Sequence, residues 1–130
     1  MYLDANFFIL ANFSEDKRGK NARYLLESIK SGKPAITSSL ALDEVMWAMT
    51  KNNLKNEIRD VIEEIYAIEN LEIKEVSSII PLRALDFIEI ENLKPRDAFH
   101  AAIMQQFGIS EIATDDTDFD KLDNIKRIKL

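Results

Sequence analysis

Five carboxylates stand where a folded chain can deliver side chains to one point. Asp4 follows Tyr2-Leu3, Glu44 interrupts an apolar segment, Asp97 comes just after Pro95, and Asp116 and Asp118 follow Glu111-Ile112-Ala113-Thr114. Ionised carboxylates taken out of water and set beside one another are unfavourable unless a cation relieves them. The chain has no cysteine, which excludes disulfides and thiolate ligation and leaves oxygen to hold any metal. An all-oxygen donor set suits Mg²⁺ or Mn²⁺, which keep several waters and bind through few carboxylates together with substrate phosphates. Such ions make a nucleophile of water and neutralise charge building on a phosphodiester. No P-loop or Ser-His pair supports a rival chemistry.

Each acid also has a plain structural reading. Glu44 sits among Leu40, Ala41, Trp47 and Ala48, so it either has a partner inside an apolar setting or faces water at a helix end. Asp97 in a first helical turn would complement the helix dipole. Asp115, Asp116 and Asp118 place three aspartates in four residues, and such loop aspartates often cap a helix or form an Asx turn. His100, the only histidine, lies one turn after Asp97 beside alanines, where a hydrogen-bonded core residue is the expected role.

The elements that must position these groups follow from the pattern. Tyr2-Leu3 reads as a buried central strand with Asp4 at its carboxyl end, the usual ligand crevice of an open parallel sheet. A short helix over 7–13 and a second over 20–31, separated by Gly19, lead to Gly32 and Pro34, and then to a strand over Ala35-Ile36-Thr37-Ser38. Ser38 or Ser39 caps a helix whose Leu42, Val45, Met46 and Met49 form one apolar stripe. A long amphipathic helix is expected over 54–70, a strand over 71–76 and a helix capped by Ser77 or Ser78 with Pro81 in its first turn. Pro95 opens a further helix that Gly108 ends, and small Ala98, Ala101 and Ala102 allow it close to the sheet. Glu111 to Thr114 and Ile125 to Leu130 supply two more strands, the last at an edge.

The 130 residues fit one domain, and with three Gly and three Pro no low-complexity linker divides them, so 1–130 is expected to be a single unit. The N-terminal apolar run is broken by Asp4, Asn6 and Asn12, and no later run is long enough to span a bilayer, which points to a soluble, cytoplasmic protein. A net charge of −6 argues against a nucleic-acid partner, but the charge is uneven. Between positions 17 and 33, Lys17, Arg18, Lys20, Arg23, Lys30 and Lys33 face only Glu27, and the first four of these are candidate phosphate contacts. Acidic residues from Glu57 to Glu75 read as a solvated helix face.

With these motifs in order, the chain resembles the PIN domain, and within it the small VapC-type toxins of toxin–antitoxin pairs. The resemblance spans essentially the whole chain. It rests on Leu3-Asp4-Ala5-Asn6, helix-borne Glu44, Pro95-Arg96-Asp97-Ala98-Phe99-His100-Ala101-Ala102 and Thr114-Asp115-Asp116-Thr117-Asp118-Phe119. It implies an α/β fold, a three-layer α/β/α sandwich with a central parallel sheet, and an Mg²⁺- or Mn²⁺-dependent endoribonuclease acting on single-stranded or structured RNA. By that match Asp4, Glu44, Asp97 and Asp116 form an acidic quartet with Asp118 supporting, while Asn6 and Thr114 orient the ligands. Asp4, Asp97 and Asp116 would hold one ion, with Glu44 and Asp118 helping to place it or a second. An antitoxin of the VapB type and a homodimer are the implied partners, consistent with the apolar surplus around Trp47 and from Leu82 to Ile88.

Other readings remain: a PIN nuclease of RNA processing or decay, or a non-catalytic acidic α/β interaction module. A phospho-acceptor domain of the response-regulator kind expects an acidic pair after the first strand and a late strand-end lysine. The chain offers Asp4 alone and no lysine just after Thr114.

Overall fold

The structure, a computed structural model, describes residues 1–130. Its centre is a five-stranded, wholly parallel sheet of order β3-β2-β1-β4-β5, formed by Tyr2–Leu3 (β1), Ala35–Ser38 (β2), Leu71–Lys74 (β3), Glu111–Ala113 (β4) and Lys126–Ile128 (β5). Six helices join them: Ala5–Phe13 (α1), Lys17–Lys30 (α2), Ser39–Lys51 (α3), Ile58–Tyr66 (α4), Ile80–Glu89 (α5) and Pro95–Gln106 (α6).

Strand alternation sorts the core into two halves. Leu3 and Ala113 face a layer built from Phe7, Phe8, Ile29, Leu42, Val45, Met49 and Ile65 of α1 to α4. Tyr2 and Ile112 face the other way, onto Ile80, Ala84, Ala98, Ala101, Ala102, Ile103 and Met104 of α5 and α6. The outcome is the expected α/β/α sandwich. The alanines on α6 are fully buried, so the helix lies close against the sheet and carries its first turn to the sheet's edge.

Several boundaries differ from the sequence expectation. The second helix begins at Lys17, because Asp16 caps it through the amides of Arg18 and Gly19, so Gly19 lies inside the helix. A Cβ on Gly19 would stand 1.9 Å from the Ser14 carbonyl oxygen, so glycine is there to let the α1–α2 connection pass. The helix expected over 54–70 is shorter: Asn53 and Asn70 adopt positive φ, Lys55–Glu57 forms a 3₁₀ turn, and only Ile58–Tyr66 is α-helical. Ser77 and Ser78 do not cap α5, whose N-cap position is Ile79 without a side-chain bond; Ser77 Oγ donates instead to Gln106. The third strand stops at Lys74 rather than Val76. In α3, Leu42, Val45 and Met49 are buried as the stripe requires, but Met46 is exposed.

The order 3-2-1-4-5 makes the β1/β4 junction the point where chain direction across the sheet reverses. A crevice opens there outside the carboxyl ends of the strands. Asp4 leaves β1 at that place and Thr114 leaves β4 beside it.

Candidate active site

Asp4 is fixed from three directions. The Leu3 carbonyl before it accepts a 2.7 Å bond from the buried Thr37 hydroxyl, which ties β1 to β2 at the carboxyl edge. Its own Oδ1 accepts the Phe7 amide at 3.1 Å and so caps α1. The Thr114 side chain stands close enough to favour the ionised form of Asp4. Asp4 is 6% exposed, and this burial lifts its carboxyl from 3.8 to about 6 against the opposing pull of Thr114, His100 and the Phe7 amide.

Three acids meet at the next position along the edge. Ligand oxygens of Asp97, Asp116 and Asp118 all lie within 4.8 Å of one another. Asp97 is in the first turn of α6, held there by the helix that Pro95 starts. Asp116 caps a 3₁₀ turn over Thr117–Lys121, accepting the Asp118 amide at 2.9 Å, while its own amide donates to Thr114 Oγ1 at 3.0 Å. The Asx-turn reading and the clustered reading therefore both hold for Asp116. Burial raises the Asp97 carboxyl above its usual range, and the charges of Asp116 and Asp118 raise it further. Asp118 moves the opposite way, held low by hydrogen bonds from Lys121 and Lys94.

Glu44 reaches the crevice from α3 and stands apart from that trio. Its Oε1 is 2.9 Å from His100 Nε2 and 3.8 Å from Arg96 Nε. Behind His100, Nδ1 lies 2.6 Å from the Tyr2 hydroxyl, which is also 2.7 Å from Ser38 Oγ. With Nε2–H donated to Glu44, the imidazole accepts from Tyr2 and the Tyr2 oxygen accepts from Ser38, giving every donor in the chain one acceptor. His100 is thus a buried core residue, and it also sets the orientation of an acid at the crevice. Burial pushes the Tyr2 phenol far above its ordinary range, so it stays protonated.

Of the five expected ligands, then, the fold gathers Asp97, Asp116 and Asp118 into one cluster. Asp4 lies buried on the Thr114 side and Glu44 across at His100, both outside the cluster. Thr114 lies beside Asp4 and accepts the Asp116 amide. Asn6 is exposed on the first turn of α1, and Asp115 turns away to pair with Arg18 at 2.8 Å. Among the four basic residues expected at phosphate, Arg18 is tied to Asp16 and Asp115, and Arg23 donates to the carbonyls of Ala11 and Ser14. Lys17 and Lys20 are exposed. Sequence reading passed over Tyr2, Ser38, Lys94 and Arg96 as parts of this region. Only the spacing of Lys94 and Asp97, three residues apart at a helix start, hinted at any of them.

The cluster fits a hard divalent cation: its donors are all carboxylate oxygens, close together, and one of them, Asp97, resists ionisation because it is partly buried and its neighbours are charged.

Residues 1–125 match the PIN domain family. Among solved structures, VapC20 of Mycobacterium tuberculosis, a sarcin-ricin loop cleaving toxin, superposes with a TM-score of 0.75 at 19% identity, covering 92% of each chain. VapBC2 of Rickettsia felis, bound to a DNA fragment from its promoter, gives 0.75 at 17% identity over 98% of this chain and 96% of that one. A toxin–antitoxin complex from Klebsiella pneumoniae gives 0.69 at 24% identity over 96% and 94%. No curated protein matches the sequence. A family match across nearly the whole length, on a parallel sheet that carries an acidic cluster at its β1/β4 crevice, places this chain in the PIN-domain family of nucleases.

Proposed function

We propose that this protein is an Mg²⁺- or Mn²⁺-dependent endoribonuclease that cleaves single-stranded or structured RNA as the cytoplasmic toxin of a VapBC-type pair. The supporting observation is the approach of Asp97, Asp116 and Asp118 to within 4.8 Å at the carboxyl edge of the sheet.

In this reading Asp97, Asp116 and Asp118 hold the ion, with Asp4 and Glu44 completing the acidic set from either side. The bound cation supplies Lewis acidity that activates water and neutralises charge on the scissile phosphodiester. Thr114 keeps Asp4 and Asp116 in register with each other, so a shift in either β1 or β4 is felt by both. His100, locked by Tyr2, holds the Glu44 carboxylate at 2.9 Å and limits its rotation. The exposed amide of Asn6, two residues beyond Asp4, is available to substrate or water. Lys17 and Lys20 are the open cations of α2 for the RNA backbone.

The partners follow from the neighbouring structures, several of which are toxin–antitoxin complexes. A cleft of ≈ 520 Å³ between α1, α2 and α4, lined by Phe7, Phe8, Leu26 and Ile65, suits apolar side chains of an antitoxin helix. Cleavage that persists undiminished when the product of the adjacent gene is added would argue for a role in RNA processing or decay instead. No helix is long and apolar enough to cross a membrane.

The decisive experiment is cleavage of a mixed RNA pool with and without Mg²⁺ or Mn²⁺, beside Asp97→Asn. The variant is expected to lose at least about a hundred-fold in rate, on the scale at which removing groups that stabilise a transition-state charge acts, with an unchanged circular dichroism spectrum. Full activity in Asp97→Asn, with contaminating nuclease excluded, would overturn the proposal.

A further inference from the structure

Both carboxylate oxygens of Asp118 are engaged by lysines. Lys94 Nζ lies 3.1 Å from Oδ2 and Lys121 Nζ 2.9 Å from Oδ1. The two come from different elements: Lys94 is the N-cap position of α6, three residues before Asp97, and Lys121 ends the turn that Asp116 begins. They therefore flank the acidic cluster from two sides.

Neither lysine is built in. Their side chains are 78% and 48% exposed, and Asp118 is the ion-pair partner of each. Asp120 of the same turn shows the contrast: Arg127 on β5, its side chain 6% exposed, binds it through two parallel bonds of 2.9 and 2.7 Å, the geometry of a structural pair. Exposed ammonium–carboxylate contacts are weak and are readily exchanged. A divalent cation that takes Asp118 as a ligand competes with both ammonium groups, and once in place repels them outward. An ammonium group freed in this way, a point charge with three rotatable donors at the rim of the acidic cluster, suits a phosphate.

We propose that Lys94 and Lys121 form a phosphate-binding pair for the RNA backbone beside the scissile bond, stored on Asp118 and released to the phosphate when a divalent cation takes that carboxylate. The inference rests on the metal-dependent ribonuclease reading given above. It makes the lysines opponents of the metal and helpers of the substrate, a pairing of opposite effects that a merely structural salt bridge would not produce.

The test uses the full chain and two readouts. Isothermal titration with Mn²⁺ alone, without RNA, compares wild type with Lys94→Gln/Lys121→Gln. Fluorescence anisotropy in Mn²⁺ then follows a labelled mixed-sequence single-stranded RNA with phosphorothioate linkages, at several salt concentrations. The double variant is expected to bind Mn²⁺ about two- to five-fold more tightly, as removal of weak competing pairs implies. It should bind RNA about ten-fold more weakly, its salt slope reduced by about 0.7 for each lost phosphate contact. A second double variant, Lys33→Gln/Lys126→Gln, removes the same charge at the opposite edge of the sheet and should leave the slope at its wild-type value. Unchanged or weaker Mn²⁺ binding in Lys94→Gln/Lys121→Gln, an unchanged salt slope, or an equal loss of slope in the control would overturn the proposed pair. Wild type that binds RNA but no Mn²⁺ would overturn the metal-dependent reading, and this inference with it.

Discussion

Burial lifts the Asp4 carboxyl from 3.8 to about 6, so the folded protein holds a proton that the unfolded chain releases between those values. Stability from this group is complete below about pH 4 and is lost as pH rises through about 6. At neutral pH the ionised Asp4 therefore opposes folding by about 3 kcal/mol, the equivalent of its displacement. Asp97, also raised by burial and by its acidic neighbours, acts in the same direction. Asp4→Asn keeps an acceptor for the Phe7 amide and removes the charge. In urea titrations with EDTA it is expected to exceed wild type by up to about 3 kcal/mol at pH 7.5, to lose that advantage near pH 4, and to have no nuclease activity. Equal stability at both pH values would show that Asp4 is not held out of water as described. Such an acid makes sense where a cation, and not solvent, is the intended partner.

At the scale of elements, the site depends on two connections that bring helix starts to the sheet edge. One is the tight passage from α1 to α2, where Gly19 lies against the Ser14 carbonyl. Alanine is ordinarily the better helix former, by about 0.5–1 kcal/mol. Here its Cβ would meet backbone oxygen at 1.9 Å, which no rotamer relieves. Gly19→Ala is therefore expected to destabilise, by about 1–3 kcal/mol as overpacking does, and a higher melting temperature in that variant would contradict the close approach. The other connection is α6, whose buried alanines allow its first turn to hold Asp97 beside Asp116 and Asp118. Helix α3 contributes differently: Glu44 is held by a hydrogen-bond chain running through His100 to Tyr2 on β1, so the opening strand orients acids on both sides of the crevice.

For the molecule as a whole, the sheet is covered on both faces, yet large apolar side chains remain outside. Trp47 on α3 and Leu82, Leu85 and Ile90 at α5 are 56%, 64%, 45% and 75% exposed. The α5 side chains fit the homodimer that the family resemblance implies. Sedimentation equilibrium is expected to return twice the 14.9 kDa chain mass, and Leu82→Asp/Leu85→Asp to return a monomer. A monomeric wild type would overturn the expected homodimer while leaving the acidic site untouched.

The sequence alone determined the strand–helix alternation, the parallel sheet and the identity of the acids, because apolar periodicity, Pro95, Gly32 and Gly108 are local signals. Asp4, Asp97, Asp116 and Asp118 were each legible from their place just after a strand or at a helix start. Local signals also have a limit: Gly19 reads as a separator although its cause lies in Ser14, and the 54–70 periodicity conceals the breaks near Asn53 and Asn70. Only the tertiary structure decided which acids meet. The β1/β4 pairing and the depth of α6 set Asp97, Asp116 and Asp118 together, sent Glu44 to His100 and buried Asp4 against Thr114. It also tied Arg18 to Asp115 and left Lys94 on Asp118. These are contacts between residues distant in the chain, and spacing along a sequence carries no information about which side chain satisfies which.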